Sequence, residues 1–312
     1  MRKKKILLLS GGVGGAKLAD GFAQILPATD LIIAVNTGDD FQHLGLSISP
    51  DLDSVTYMLA GLASAERGWG RSDETWSCIE TLRRIDSETW FQLGDRDLAL
   101  HLHRSMKLAR GTSLEVVTAE IASKLGVRHK IVPMTEAPVR TIIESYAERY
   151  SFQEYFVRLQ CRPQMTGYRY EGARWATPSH GLLEALHDPE LAGIMIAPSN
   201  PILSIGPILA IPTVRDAIEK TTVPVVGVSP IIKGAAIKGP AAKILQELNI
   251  GASAGAVAQF YGDLLDHFIV HPDDAGAPWS SNAKRHVADI LMQSEEDRRR
   301  VAHSCLALLD IT

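Results

Sequence analysis

Apolar residues along this chain fall in short runs cut by glycine, proline and aspartate. Residues 5–9 (KILLL) are too few for a helix and stop at Ser10-Gly11-Gly12, which predicts a strand buried on both faces. Gly11, Gly12, Gly14 and Gly15 then mark a turn. Leu18, Phe22, Ile25 and Leu26 recur at helical spacing before Pro27, which predicts a helix over 16–26. Residues 31–35 (LIIAV) form a second apolar run, followed by Asn36-Thr37-Gly38-Asp39-Asp40. Strand, glycine turn, helix, strand is a βαβ opening, and it implies a parallel, right-handed crossover.

The rhythm continues downstream. Ser49-Pro50-Asp51 begins a helix with an apolar stripe at Leu52, Val55, Leu59 and Leu62 and Gly61 near its end. Asp95 reads as the cap of a helix running toward Met106, residues 113–125 as another helix and 130–133 as a strand. Residues 152–178 are rich in aromatic and basic side chains without clean periodicity and read as an excursion lying over the site. Beyond it come strands at 193–197, 223–228 and 268–271, and helices at 207–220, 241–248, 285–292 and 295–310. No internal repeat or low-complexity linker appears. The expected fold is α/β: one doubly wound, Rossmann-like, mostly parallel sheet over about 1–150 and 190–312. An inserted subregion over about 151–190 would lie near the substrate site, all within a single unit spanning 1–312.

Composition narrows the function classes. Of 312 residues, 46% are hydrophobic and 22% charged, which excludes a disordered chain, a collagen and a coiled coil. Lys+Arg at 32 against Asp+Glu at 36 gives a net charge of -4, which argues against general affinity for nucleic acid or an anionic membrane. Three scattered cysteines, Cys78, Cys161 and Cys305, fit neither a disulfide ladder nor a zinc knuckle and point to a reducing compartment. The basic start and the apolar run over 6–9 resemble a signal peptide, but that run is too short for an h-region. No stretch approaches the ~18 apolar residues of a membrane span, so the expected location is cytoplasmic.

In a doubly wound sheet, ligands bind beyond the carboxyl ends of the strands, and the polar residues of interest fall there. The segment Gly11–Lys17 leaves backbone N–H groups free to face a phosphate at a helix N-terminus. It is neither a Walker loop nor an intact dinucleotide fingerprint, because Lys17 stands where the third glycine would be. Lys17 could neutralise phosphate charge; the plain alternative is a solvated lysine. Asp39 and Asp40 offer hard oxygen ligands for Mg²⁺, or simply an exposed turn. Asp51 and Asp53 lie in the first turn of a helix, where acidic residues also serve capping and the dipole. Asp95, His101 and Arg104 put charge on one helix, with surface ion pairs as the alternative. Lys233, Lys238 and Lys243 form either a second anion cradle or a solvated basic face. His267 and His271 are four apart, but the surrounding residues suggest a strand end and count against zinc.

These segments together resemble the 2-phospholactate transferases of deazaflavin coenzyme F420 biosynthesis, the CofD family. The stretches that carry the resemblance are SGGVGGAKL from Ser10, VNTGDD from Val35, ISPDLDSV from Ile48, LGDRD from Leu93 with His101 to Arg104, APSNPILSIGPIL from Ala197, VSPII from Val228, and Leu291-Met292. They occur in family order over nearly the whole chain. The resemblance implies that a guanylylated phospho-hydroxyacid donor gives up its phospho-acid group to the ribityl hydroxyl of Fo (7,8-didemethyl-8-hydroxy-5-deazariboflavin), releasing GMP. It implies that the glycine segment, Asn36, Ser199 and Asn200 hold the nucleotide diphosphate, that Asp39 or Asp40 binds Mg²⁺, and that Asp53, or else Asp51, contacts the ribityl chain or accepts its proton. Asp95, His101 and Arg104 join the binding set. Gln92 stands where archaeal relatives often carry a basic residue, which favours the bacterial branch and its phosphoenolpyruvate- or 3-phosphoglycerate-derived donors. Lys238 is a candidate reader of an extra donor carboxylate. A homodimer is a family-level expectation. Two other readings compete: a nucleotide-sugar-binding regulator of the same superfamily without turnover, and a nicotinamide oxidoreductase. SPDLDSV weighs against the first and the broken dinucleotide fingerprint against the second.

Overall fold

The computed structural model describes residues 4–146, 148–236 and 240–309. Seven strands form one parallel sheet: β1 Lys5–Ser10, β2 Leu31–Val35, β3 Lys130–Pro133, β4 Leu191–Ile196, β5 Val225–Val228, β6 His267–Val270 and β7 Lys284–Val287. Their spatial order is β7-β6-β5-β4-β1-β2-β3. The chain therefore winds outward from β1 in both directions, and the switch lies between β1 and β4.

Alternation explains why these runs are apolar throughout. Ile6 and Leu8 of β1 pack on one face with Ile33, Met195, and Leu18 and Phe22 of the first helix, Gly12–Ile25. Leu7 and Leu9 pack on the other with Ala34, Ile196, Leu182 and Val214. A strand with both faces covered has no polar side to show, so its sequence reads as a continuous hydrophobic run. On the first face the helix Pro50–Leu59 contributes Leu52 and Val55, and the last helix, Glu295–Leu306, contributes Val301, Ala302 and Cys305.

A second, three-stranded antiparallel sheet has Arg140–Glu144 in its middle, flanked by Arg149–Ser151 and Gly167–Glu171. The excursion thus opens at Arg140, earlier than the sequence pattern placed it. The helix His180–Leu186 already belongs to the main sheet's packing, through Leu182 and Ala185. A short hairpin, Phe41–His43 with Leu46–Ile48, follows β2.

Two expected helices fail. Residues 285–292 begin as β7, an edge strand paired in parallel with β6. Its side chains, Lys284 to Val287, are half-buried or exposed, so no apolar run marks it, and the later Ile290 and Met292 imitate a helical stripe. The expected helix over 207–220 is broken. A π-helical segment Pro201–Ile205 and the turn Gly206–Leu209 meet the helix Pro212–Glu219 at 88°. Pro212 sits in the first turn of its helix, where a missing N–H costs nothing. No single helix among the described residues is long and apolar enough to cross a membrane.

Candidate functional site

The ends of β1 and β2 lie side by side, and the chain beyond each is polar. The helix after β1 starts at Gly12, so the glycine segment forms its first turn rather than a separate turn before it. Gly12 holds φ +61, a left-handed conformation that glycine adopts without the cost a Cβ brings. Gly11 is required by closeness: a Cβ there would stand 2.7 Å from both Asp51 Oδ2 and Ser204 Cβ. Gly14 and Gly15 press on Pro198 and Ser199 in the same manner. The Ser199 hydroxyl donates to the Gly11 carbonyl at 2.6 Å, which fastens the 198–204 loop to the glycine segment. Asn200 caps the Pro201–Ile205 segment, its Oδ1 accepting from the N–H groups of Ile202 at 2.9 Å and Leu203 at 3.0 Å.

Asn36 is the hub. It is fully buried, and its amide donates to Asp39 Oδ1 at 2.9 Å and Asp51 Oδ2 at 3.0 Å, with the Leu203 carbonyl at 3.3 Å. Its Oδ1 accepts from the Gly38 N–H at 2.8 Å. Asp39 also accepts from the Gln153 amide at 3.3 Å, so the second sheet's excursion reaches the same carboxylate. Asp51 accepts the Gly12 N–H as well. Asp40 accepts from the Ser49 hydroxyl at 2.7 Å through Oδ2.

The charges here are out of balance. Burial, then the negative charges of Asp51 and Asp40, push Asp39 well above the ordinary carboxylate range. Burial raises Asp40 to about 7 against the Ser49 hydrogen bond and the charges of Arg140 and Arg104, and it raises Asp51 to about 6 against the hydrogen bond from Asn36. Five buried polar atoms around these strand ends have no partner: Ser10 Oγ, Thr37 Oγ1, Asp40 Oδ1, Thr141 Oγ1 and Asn200 Nδ2. Buried polar groups are normally satisfied, so these five atoms leave donors and acceptors available at the strand ends.

Asp53 points to a different neighbourhood. Both its carboxylate oxygens are taken by Arg104, one at 3.0 Å and the other by a shorter bond. Burial works against the Arg104 guanidinium, yet the charge and hydrogen bonds of Asp53 outweigh it and raise its pKa further. Both oxygens of Asp53 are thus already committed to a buried guanidinium, whereas Asp51 has no such partner. Burial also lowers His101 to about 4, so it is neutral near pH 7. Its Nδ1 lies 3.2 Å from Arg104 Nη1, and arginine has no acceptor, so Nδ1 must accept and the proton sits on Nε2. Asp97, which the sequence offered only as part of the charged LGDRD stretch, completes this group: burial raises it to about 7, and the Tyr57 hydroxyl donates to it. Asp97, His101 and Arg104 stand at i, i+4 and i+7 on the helix Asp95–Ala109, one buried face that the spacing alone would have shown.

Other expected site residues lie elsewhere. Asp95 is half-buried and accepts from the Thr75 hydroxyl and the N–H groups of Ser77 and Cys78, tying down the start of the helix Ser77–Arg84. Gln92 donates back to the Thr89 carbonyl at 2.8 Å. Lys17 reaches the Met292 carbonyl at 2.6 Å, which fixes the glycine-loop helix to the C-terminal segment. Lys233 pairs with Asp273 and Lys243 with Glu247, which leaves neither as an open anion cradle; Lys238 lies outside the described residues. His267 and His271 do not converge: His267 meets His286 at 3.0 Å, and His271 faces Asp273 and Asp289.

The arrangement suits a hard divalent cation. Asp39 and Asp51 flank one amide, Asp40 keeps an unpartnered oxygen, and all three are buried with too little positive charge. Among the described residues no three His, Cys, Asp or Glu side chains form a complete metal cage.

A sequence profile described as 2-phospho-L-lactate transferase CofD matches residues 6–306. A phosphoenolpyruvate transferase of Streptomyces griseus is 40% identical over 279 residues, covering 88% of this chain and 87% of that one. A 2-phospho-L-lactate transferase of Methanosarcina acetivorans is 35% identical over 308 residues, covering 98% and 99%. Among solved structures, a UPF0052 family member from Bacillus halodurans superposes with a TM-score of 0.63 at 17% identity, covering 98% of this chain and 99% of the other, which speaks for the fold alone.

Proposed function

The chain belongs to the CofD family of 2-phospho-L-lactate transferases. From that premise we propose that it moves a phospho-hydroxyacid group from a guanosine-diphosphate-activated donor to the ribityl hydroxyl of Fo, with GMP leaving. The observation that carries this reading is the buried, cation-poor carboxylate group at the ends of β1 and β2, with its unpartnered polar atoms. It lies beside the β1–β4 switch, where nucleotide ligands bind in doubly wound sheets. The relatives named above support either a phosphoenolpyruvyl or a 2-phospholactyl group as the cargo.

The chemistry is in-line displacement at phosphorus, so positioning and charge neutralisation should supply most of the rate. The ribityl oxygen forms a bond to the phosphorus that bears the acid, and the bond from that phosphorus to the GMP oxygen breaks. Asp39 or Asp40 would hold Mg²⁺, which would supply charge neutralisation on the diphosphate when bound. The N–H groups of the glycine segment face the same anion. Asp51 is the better proton acceptor of the two carboxylates first considered, because it lacks a guanidinium partner and burial raises it to about 6. Asp53 instead serves with Arg104 to hold the helix Pro50–Leu59, which carries Asp51, against the helix Asp95–Ala109.

The test is direct. The protein is incubated with Fo, Mg²⁺ and, in turn, the lactyl, phosphoenolpyruvyl and 3-phosphoglyceryl guanylylated donors. Mass spectrometry then looks for GMP and the charged deazaflavin phosphodiester in equal amounts. Nucleotide binding without either product with every donor would assign the chain to the regulatory reading.

A further inference from the structure

We propose that Arg140 reads the carboxylate of the donor's hydroxyacid; this rests on the transferase reading above. Arg140 opens the middle strand of the second sheet, Arg140–Glu144, and no reading of the sequence pointed to it. Its neighbour places it. The Thr141 N–H donates to the Gly38 carbonyl at 2.6 Å, which stitches this strand directly onto the turn that carries Asp39 and Asp40. The Arg140 charge acts on both of those carboxylates. Yet it forms no ion pair within 4.0 Å among the described residues, and its hydrogen bond is to the adjacent Val139 carbonyl at 2.7 Å. The side chain is half-buried.

Arg104 and Arg140 are the two guanidinium groups whose charges reach Asp40, and their states differ. Arg104 is fully buried and committed to Asp53. Arg140 spends one of its five donors on backbone and keeps a planar fork for an anion. The anion must lie on the excursion's side of the carboxylate group, where Gln153 already reaches Asp39 and Thr141 Oγ1 is buried without a partner. The glycine segment, fastened to Ser199 on the β4 side of β1, suits the nucleotide end, while Tyr170, paired with Thr141 in the second sheet, donates to the Ile202 carbonyl at 2.5 Å and sets the excursion against the 198–204 loop. The donor's other negative end is the acid's carboxylate, planar and two-pronged, the shape a guanidinium fork takes in bidentate fashion. A lactyl, a phosphoenolpyruvyl and a phosphoglyceryl donor all carry it, so Arg140 would select for an acid without choosing among the acids.

The experiment compares the acid donor with its carboxamide in wild type, R140Q and R140K. Donor KM, acceptor KM and turnover are measured, and donor binding is followed by calorimetry in the absence of Fo. Loss of a bidentate charged contact predicts that R140Q weakens binding of the acid donor about 10- to 100-fold. The same variant should change binding of the carboxamide less than about threefold and leave acceptor KM unmoved, while R140K falls between the two. Wild type should prefer acid to amide by the factor that R140Q loses. Equal weakening of both donors would overturn the proposal by placing Arg140 on the diphosphate, and so would no weakening of either. Absence of product from wild type with every acid donor is a separate outcome: it sinks the transferase reading and this inference with it.

Discussion

Asp51 and Asp53 are two residues apart on one helix turn, both buried, yet they live in opposite electrostatic worlds. Asp53 is matched by a guanidinium fork and belongs to a closed group with His101, Asp97 and Tyr57. Asp51 shares an amide with Asp39 and has no cation of its own. The first region spends its charge on holding two helices together. The second stores an excess of negative charge that folding alone leaves unrelieved. Burial of a residue type therefore says little about its task until its counter-charge is known.

The sharpest way to break this contrast is Arg104→Ala. It strands Asp53 without a partner in the interior and should cost about 3–5 kcal/mol of stability, measured by urea unfolding. A cost under about 1 kcal/mol would mean that the pair is not holding the helices. Asp51→Asn should do the reverse, lowering turnover about a hundredfold or more while the unfolding midpoint stays close to wild type. Wild-type turnover in that variant would remove Asp51 from the chemistry.

Titration sharpens the comparison next. Asp40 and Asp51 are raised to about 7 and about 6, so between the ordinary carboxylate range and about 7 the folded state holds protons that the unfolded chain has released. Their contribution to stability therefore falls as pH rises through that window. Mg²⁺ should reverse this, raising Tm more at about pH 8 than at about pH 5.5, where protons compete for the same oxygens. Equal shifts at both pH values would argue that the cation binds elsewhere. The smallest effect belongs to Asp95→Asn, which loosens the cap on the helix Ser77–Arg84 and should lower Tm by roughly 2 °C with activity within about twofold.

Much of the sheet was legible in the sequence because a strand covered on both faces leaves an uninterrupted apolar run, as at 5–9 and 31–35. The edge strand Lys284–Val287 was not, because a polar strand on a sheet's border is defined by its pairing with β6 rather than by its own composition. At the site, Asn36, Asp39 and Ser199 were legible as polar residues just past strand ends, and Asp51 as an acidic residue in the first turn of a helix. The difference between Asp51 and Asp53 was hidden, since it depends on Arg104, fifty-one positions away from Asp53. Asp97 stood in the charged LGDRD stretch, but only its burial and its bond from Tyr57 single it out from Asp95. A motif match cannot show which way a carboxylate turns: Asp95 turns toward the start of the helix Ser77–Arg84. Arg140 had no signal at all: its relevance comes from one backbone hydrogen bond to Gly38.

The central place of β1 has a consequence for how the protein is made. Its β2 edge is paired by a strand that ends at Val35, but its other edge waits for β4, which begins at Leu191. Ser199 and Ser204, which pack against Gly11 and Gly15, arrive later still. During synthesis a ribosome that has made the first half of the chain has thus released an open, fully apolar strand edge beside a buried acidic group still lacking its cover. The nascent protein depends on the arrival of residues 191–204 both to seal its hydrophobic middle and to cover that group.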